Sequence, residues 1–475
     1  MKSNSKSGKF GRKKLKYTVS SALRIAVTAL CLSTLIMLQG CATTEAIADG
    51  GSFGEIAAAV RTDLFGAEQE DTRQIQLALP VREGFEPIRD LFSYNALKTS
   101  EMREAYESIR KSIFLITPET DGSGRYIMKH ARIPSSLDST QIYIAKEAVL
   151  NDYPEAFWIT GDYTVGNNLH DGNYITLYSE YSYEQIVSAF DSINAGTEEI
   201  LAKIPDGASE LERELIIHDA LVDSIDYDSE AASDDNASVQ AFSIYGALAH
   251  KKAVCSGYAR AAKLLLNRVG IECRLVSGMS KYTGHMWNQV KIDGQWYNLD
   301  ITWDDPITDG DVIYNRYSYF NITDEHINVD HEPGRSFDEM TLESAESVDY
   351  ATADLYNFDL EECTATDANY YMMYAVHITA TDTSNNALIT EKIKTLSRTR
   401  EEMFYIRFDE SIDSATAEKW LTKNSGGKSS ALGKSMVKSN NSGVGSRIKT
   451  CSLVRLATSE NDVWSHVYAV RLIYA

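Results

Sequence analysis

The dipeptide Asp293-Gly294, within the stretch GHMWNQVKIDGQWYNLDITWDD, constrains the fold more than any other feature of the chain. An Asp-Gly pair in this setting predicts a β-hairpin with a two-residue turn. The turn also fixes the register, because Ile292 must then pair with Gln295 and every pair further out follows from that one. The sequence therefore predicts which side chains share each face of the hairpin.

The predicted register brings a histidine and two carboxylates together on one face. His285 lies opposite Thr302 in this register, and Asp300 and Asp304 are its two diagonal neighbours, within side-chain reach. Spacing alone leaves both carboxylates open as the partner of the histidine. Two further candidates point to the opposite face by strand parity, namely Asn288 and Asp305.

A helix is predicted upstream of the hairpin, and a cysteine stands at its N-terminus. Apolar residues recur at helical spacing from Tyr258 to Val269, and Gly270 is a natural terminator. Cys255, three residues before Tyr258, lies on the same buried face at the helix N-terminus. The N–H groups and the positive dipole end found there favour a thiolate. Gly257 is interpreted as space for a substrate to approach the backbone, and Cys255 as a candidate nucleophile.

The cysteines that follow Cys255 in the sequence have different neighbours from those of Cys255. Cys273 alternates with Ile271 and Leu275 on one face of a predicted strand, without a charged partner nearby, and is interpreted as a core residue. Four widely spaced cysteines do not form a disulfide framework. If Cys255 stays free, Cys363 and Cys451 are the one pair to consider, and the sequence leaves their pairing open.

The N-terminus has the order of a secretory signal peptide. Seven Lys/Arg between Lys2 and Lys16 precede a largely apolar run, residues 22–38, which is shorter than a membrane-spanning helix needs. The run ends in Leu-Gln-Gly-Cys41, which resembles the lipobox of bacterial lipoproteins. That resemblance implies removal of residues 1–40, lipidation of Cys41 and an extracytoplasmic protein anchored to the bacterial cell membrane by its lipid.

The net charge of the chain argues against two kinds of partner. Residues 1–40 hold eight of the 46 Lys/Arg and none of the 68 Asp/Glu, so their removal changes the net charge from −22 to −30. A chain with this much negative charge is not expected to bind a nucleic-acid backbone or to adhere electrostatically to anionic lipid. The lipid itself is the predicted membrane contact.

Composition divides the remaining chain into regions. A predicted helix from Ser209 to Ser224 opens with a capping box completed by Glu212. In the C-terminal region apolar and polar residues alternate as they do in β-strands, beginning with a predicted strand at 371–378. The predicted regions are a tether at 41–85, a mostly helical N-terminal region at 86–205, a catalytic domain at 206–336, and a β-rich C-terminal module at 337–475 with a flexible Ser/Gly/Lys/Asn-rich insertion at 423–447.

Three separated motifs in residues 206–335 resemble the transglutaminase-like superfamily. These motifs are VCSGYA at 254–259, HMWN at 285–288 and WYNLDITWDD at 296–305. The resemblance implies an α+β, papain-related fold in which a helix bearing the cysteine packs on an antiparallel sheet bearing the histidine and the aspartate. It also implies a catalytic triad of Cys255 as nucleophile, His285 as general base and acid, and Asp300 as the orienting residue in preference to Asp304. No cofactor is expected.

Aromatic and acidic residues near these motifs have alternative interpretations. Trp287, Tyr258 and Trp303 are candidates for the wall of a cleft, although packing within the hairpin would also account for the tryptophans. No metal site is predicted, for two reasons. His326 and His331 are five residues apart without cysteine partners, which favours a structural or capping role, and the acidic run 304–311 lacks the glutamate that completes a calcium loop.

The sequence thus predicts cysteine-dependent acyl transfer on peptide or protein amides at the bacterial cell envelope. The expected partner is a peptide or protein substrate, and both a protease or amidase and a transamidase fit the same triad. The alternative is a surface adhesin or binding lipoprotein that keeps the fold without turnover. An intact Cys-His-Asp set argues against that alternative, since binding alone does not need those three side chains together.

Overall fold

The hairpin predicted at Asp293-Gly294 is present, with the register that the turn dictates. In the computed structural model, Ile292 pairs with Gln295 and Asn288 with Leu299, and the two turn residues have φ values of 48° and 84°. The structure describes residues 77–79, 91–168, 172–234, 237–281, 283–305, 314–339, 356–422, 430–456 and 463–475. The signal peptide, Cys41 and nearly all of the tether lie outside these residues. Among the described helices, each is too short or too polar to cross a bilayer.

Most of the described helices begin at a Ser, Thr, Asp or Asn cap. The capping box at Ser209 and Glu212 is present as predicted. In chain order the α-helices are α1 Phe92–Ala96, α2 Ser100–Ser112, α3 Ser139–Asp152, α4 Tyr183–Leu201, α5 Glu210–Ser224, α6 Cys255–Arg268, α7 Asp324–Ile327, α8 Tyr370–Tyr374, α9 Thr383–Thr399, α10 Ser414–Thr422 and α11 Ala431–Asn441. Short 3-10 helices cover Ala231–Ser233, Val239–Phe242 and Phe337–Glu339, and a π-helix covers Tyr245–His250.

The strands form three larger sheets and two short pairs. In chain order they are β1 Leu77–Ala78, β2 Leu115–Thr120, β3 Tyr126–Met128, β4 Ala131–Arg132, β5 Ile159–Asn168, β6 Gly172–Ser179, β7 Asp226–Tyr227, β8 Lys252–Ala253, β9 Cys273–Ser280, β10 Thr283–Ile292, β11 Gln295–Leu299, β12 His331–Pro333, β13 Arg335–Ser336, β14 Tyr356–Asn357, β15 Val376–Ile378, β16 Met403–Phe408, β17 Ile448–Arg455 and β18 Val467–Tyr474.

The central part of the chain has the predicted α+β core, in which α6 packs on the antiparallel sheet β11-β10-β9-β12. The apolar face of α6 is buried, including Leu265 and Leu266. Asn288, which parity placed on the face away from His285, is buried and donates to the carbonyls of Ala259 on α6 and Arg274 on β9, both at 3.1 Å. This side chain therefore joins the helix to the sheet.

The N-terminal region contains a sheet that the prediction of a mostly helical region did not include. Helices α1 to α4 alternate with a six-stranded sheet of order β1-β2-β3-β6-β4, with β5 paired to β6. Several of these strands have only two or three residues, and β5 is polar along most of its length, so their sequences carry little alternation. The buried Asp152 ends α3 and accepts hydrogen bonds from Ser93 N, Tyr94 N and Tyr106 Oη at 2.9–3.0 Å.

The C-terminal region corrects two predictions. A sheet of order β15-β16-β18-β17 is present, but helices α8 to α11 accompany it, so the region is mixed rather than β-rich. The predicted strand at 371–378 is a short helix followed by β15, because Asn369 caps the N–H groups of Tyr371 and Met372. Residues Gln76–Ala475 form one compact unit, within which the proposed domain boundaries stay predictions.

The predicted flexible insertion contains helix α11. Ser430 caps this helix by accepting from Gly433 N at 3.0 Å, and Ser435 and Ser439 are buried. Asn386 on α9 donates to Ala431 O and to Ser435 Oγ, both at 2.9 Å. Serine and asparagine thus form the packed interface between two helices here, which is why composition alone indicated a flexible segment. Residues 423–429 lie outside the described part.

The four described cysteines are all free, so Cys363 and Cys451 are not paired. Cys363 is buried beside Gln289, whose Nε2 lies 3.3 Å from the sulfur, and Cys451 lies on β17 opposite Leu472. Cys273 is buried, as predicted for a core residue, and burial raises the pKa of its thiol to about 12. Cys255 is partly exposed.

Candidate active site

Cys255 lies at the N-terminus of α6, as the sequence predicted, and is the first residue of that helix. Val254 is the N-cap in an extended conformation and has no side-chain cap, so backbone N–H groups at this end are directed out of the helix. The preceding strand β8 pairs in parallel with β7, and Ala253 and Val254 are buried. The sulfur therefore sits at the positive end of a helix whose start is fixed by two buried residues.

Gly257 does not have the role that the sequence analysis gave it. A Cβ at this position would lie 2.7 Å from Ala253 Cβ, 2.9 Å from Ala241 O and 3.2 Å from Ser243 O. The space beside Gly257 is filled by the protein's own backbone rather than left for a substrate. The glycine lets the start of α6 pack closely on the segment 241–243, and in this way it positions Cys255.

His285 on β10 and Asp300 directly after β11 meet as the hairpin geometry predicted. The distance between His285 Nε2 and Asp300 Oδ2 is 2.6 Å, and both side chains are largely buried. The predicted pairing of His285 with Thr302 does not form, because β11 ends at Leu299. The chain then turns: Asp304 N donates to the Asp300 carbonyl, and Trp303 N donates to the Asp300 carboxylate. On its other side, His285 pairs with Gly278 on β9.

The two side chains stabilise each other's charged forms. Burial favours the neutral imidazole of His285, but the charge of Asp300 and hydrogen bonds to Asp300 and Cys255 outweigh it and raise the pKa of His285 to about 10. Burial likewise opposes ionisation of Asp300, yet His285 and His331 hold the pKa of that carboxyl below its ordinary value. The structure thus favours an imidazolium at position 285, between a carboxylate and the cysteine.

Asp304 is occupied elsewhere. Its Oδ2 lies 3.1 Å from His218 Nε2 and its Oδ1 accepts from Tyr319 N at 2.8 Å, in a fully buried site. Asp305 accepts from the hydroxyl of Tyr258 at 2.8 Å. The geometry therefore separates the two carboxylates that spacing left open, and Asp300 is the one that contacts His285.

Of the three predicted wall residues, the structure places one at a cleft. Trp303 lines a cleft of about 760 Å³ together with His285 and Tyr227. Trp287 and Tyr258 are each only 1% exposed and belong to the core. Trp287 packs nearly parallel to His285, with ring centroids 6.1 Å apart, and so supports the histidine from inside the core.

The C-terminal region supplies part of the same cleft, which the sequence analysis did not anticipate. Leu456, Val463 and Trp464 line it, and the indole of Trp464 donates to Ser318 O at 3.0 Å. These residues are about 150 to 210 positions from the helix and hairpin motifs, so local spacing carries no signal for them. The cleft thus has an apolar wall from outside the motif-bearing core.

His331 is a further residue of the site, which the sequence analysis treated as structural or capping. Its Nε2 lies 3.0 Å from Asp300 Oδ2 and its Nδ1 lies 2.7 Å from Asp330 Oδ1. Within the described ranges, His285, Asp300 and His331 are the one group of three potential metal ligands, with their ligand atoms within 4.8 Å of one another. The distances from Asp300 Oδ2 to His285 Nε2 and His331 Nε2, 2.6 and 3.0 Å, are hydrogen-bond distances.

One comparison with known proteins gives the residues that it matches, and they include the candidate site. Residues 198–301 match the family model of the transglutaminase-like superfamily. Kyphoscoliosis peptidase of Mus musculus is 30% identical over 131 residues, which are 25% of this chain and 20% of the relative. The Homo sapiens protein of the same name is 30% identical over 128 residues, 24% and 19% of the two chains. The chain thus spans about a fifth of the length of these relatives.

Two solved structures are also similar to parts of the chain. One is a crystal structure of a TGase, with 19% identity, a TM-score of 0.24 and coverage of 38% of this chain and 52% of that chain. The other is described as a candidate cysteine protease of Cytophaga hutchinsonii, with 14% identity, a TM-score of 0.19 and coverage of 30% and 61%. The segment 198–301, which is similar to the transglutaminase-like superfamily, contains Cys255, His285 and Asp300.

Proposed function

We propose that this protein transfers acyl groups from peptide or protein amides through Cys255, His285 and Asp300. One observation carries the proposal: a partly exposed cysteine at a helix N-terminus interacts with a histidine whose far nitrogen lies 2.6 Å from a buried carboxylate. Covalent catalysis requires a nucleophile that contacts a base and a base that contacts an orienting group, and Cys255, His285 and Asp300 have this arrangement. The match to the superfamily supports the same chemistry.

The proposed reaction has two stages. The thiolate of Cys255 attacks the carbonyl carbon, a C–S bond forms, and the C–N bond of the amide breaks as the imidazolium of His285 gives its proton to the leaving amine. Water or a second amine then attacks the thioester, gives a proton to His285 and releases Cys255. Asp300 holds the imidazole in one orientation and stabilises its protonated form. The backbone N–H groups at the start of α6 are donors suited to the oxyanion.

The thioester is common to hydrolysis and transamidation, so the acceptor decides the reaction. The assay that tests the proposal supplies both acceptors, water and a primary amine. An unfolded, glutamine-containing protein is incubated with the enzyme in aqueous buffer, with and without a fluorescent primary amine. We expect new N-termini or released ammonia, or incorporation of the amine, and each product must depend on Cys255. A substrate panel that yields neither product while binding tightly would favour the adhesin alternative and contradict the proposal.

We further propose that the protein acts at the bacterial cell envelope, anchored through a lipid on Cys41. The charged segment, the apolar run and the lipobox-like sequence before Cys41 support this location, as does the acidic body, which would not adhere to anionic lipid by charge. In a bacterial host, Cys41→Ala is expected to move the protein from the membrane fraction to the soluble fraction or to leave it unprocessed. Cys451→Ala serves as the control. Unchanged fractionation and mass in Cys41→Ala would contradict the anchor.

A further inference from the structure

The carboxylate of Asp300 is held from three sides. Its Oδ1 accepts from Trp303 N at 3.2 Å, and its Oδ2 faces two imidazoles, that of His285 at 2.6 Å and that of His331 at 3.0 Å. Asp300 is 1% exposed, so water cannot supply these hydrogen bonds. A buried carboxylate needs such donors to stay ionised. His331 therefore supplies one of the contacts that fix the charge and the rotamer of Asp300.

His331 is itself held in one orientation. It begins β12, where it pairs with Ser280 on β9, and Lys281 N donates to the carbonyl of Asp330 at 2.9 Å. The Nδ1 of His331 contacts the carboxylate of Asp330 at 2.7 Å, and the other oxygen of Asp330 accepts from the hydroxyl of Tyr319 at 2.6 Å. The ring lies against Trp303, with centroids 4.6 Å apart, and against Trp287 at 5.2 Å.

Both nitrogens of His331 face carboxylate oxygens, and this fixes its protonation state. A neutral imidazole has one donor and one acceptor nitrogen, so one of its two contacts would place lone pairs against each other. Only the imidazolium donates to both Asp300 and Asp330. In agreement, burial lowers the pKa of His331, but the hydrogen bonds to Asp300 and Asp330 reverse this and leave the pKa raised, against the opposing charge of His285.

We propose that His331, as an imidazolium, is a positioning residue that holds Asp300 in line with His285 and offsets part of its negative charge. The inference rests on the proposed function of the Cys255–His285–Asp300 group. His331 does not contact the substrate in this account. It acts on His285 through Asp300, and Tyr319 and Asp330 complete the chain of contacts from the cleft to the carboxylate.

Two substitutions separate the hydrogen bond of His331 from its charge. His331→Ala removes both, and we expect kcat to fall on the order of 10- to 100-fold with little change in KM, because Asp300 loses a donor and its fixed orientation. His331→Gln keeps a donor for Asp300 without the charge and is expected to restore most of kcat. In the glutamine variant the titration of His285, followed by NMR, should move upward by about 1 pH unit, because a neighbouring positive charge is gone.

His377→Ala, an exposed histidine on β15, is the control for the loss of an imidazole. If His331→Ala fails to fold, the glutamine variant and the NMR titration still decide the question, because neither requires turnover. Folded His331 variants with wild-type kcat and an unchanged His285 titration would overturn the proposal. Loss of activity with a chelator and its return with Zn²⁺ would overturn it as well, since His331 would then be a metal ligand. If Cys255→Ala retained activity, the proposed function would fail, but the His285 titration would still report on His331.

Discussion

Cys255→Ala is expected to lower acyl transfer by more than about 10³-fold while leaving the fold and the melting temperature close to wild type. The thiolate forms the covalent bond in the proposed reaction, and no other side chain at the start of α6 can replace it. The cysteine is partly exposed at the helix end, so alanine leaves no cavity in the core. Turnover would be measured with the best substrate from the acceptor assay.

The control for this variant is another free thiol. Cys451→Ala removes a thiol of the C-terminal sheet, on β17, where Cys451 pairs with Leu472, and it should keep full activity. Cys255→Ser should be nearly as inactive as the alanine variant, because His285 is matched to a thiol rather than to a hydroxyl. Activity in Cys255→Ala above about a tenth of wild type would remove Cys255 from the mechanism.

Asp300→Asn is expected to reduce kcat by about 10⁴-fold, since an amide no longer fixes the imidazole or stabilises its charge. The change also has a predicted sign in pH. The carboxylate holds the pKa of His285 near 10 in the wild type, so its removal should lower that pKa and move the alkaline limb of the rate profile to lower pH by more than about 1 unit. The pH dependence of kcat measures both effects.

Asp304→Asn is the matched control, because spacing alone left the two aspartates equivalent. Asp304 contacts His218 and Tyr319 rather than His285. Burial raises the pKa of Asp304, although the hydrogen bond from His218 opposes this shift. We expect a shift in melting temperature but a kcat within about tenfold of wild type. Equal losses in the two variants would contradict the assignment of Asp300.

The sequence predicted those parts of the site that depend on local periodicity. The Asp293-Gly294 turn determined the hairpin register, and helical spacing placed Cys255 at the start of α6. Parity excluded Asn288, whose side chain joins α6 to β9. Parity could not decide between Asp300 and Asp304, because both are diagonal neighbours of His285 in the predicted register. In the structure β11 ends at Leu299 and the chain turns there, which separates the two carboxylates. The resemblance to the superfamily favoured Asp300, and the structure shows the contact.

What the sequence missed depends on contacts between distant segments. The role of His331 arises because β12 pairs with β9, a pairing that leaves no periodic signal in three residues. Leu456 and Trp464 reach the cleft only because the C-terminal region folds beside it. Gly257 was misinterpreted because its neighbour in space is the segment 241–243. In each case the partner lies outside the sequence window in which a pattern is visible.

The central claim is that Cys255 carries the acyl group, and peptide mapping of the trapped intermediate tests it most directly. After brief incubation with substrate, acid quench and trypsin digestion, the thiol appears in the peptide AVCSGYAR, residues 253–260. The account predicts an acyl mass on this peptide that neutral hydroxylamine removes and that is absent in Cys255→Ala. Turnover without that adduct, or an acyl group on Cys273, Cys363 or Cys451 instead, would contradict it.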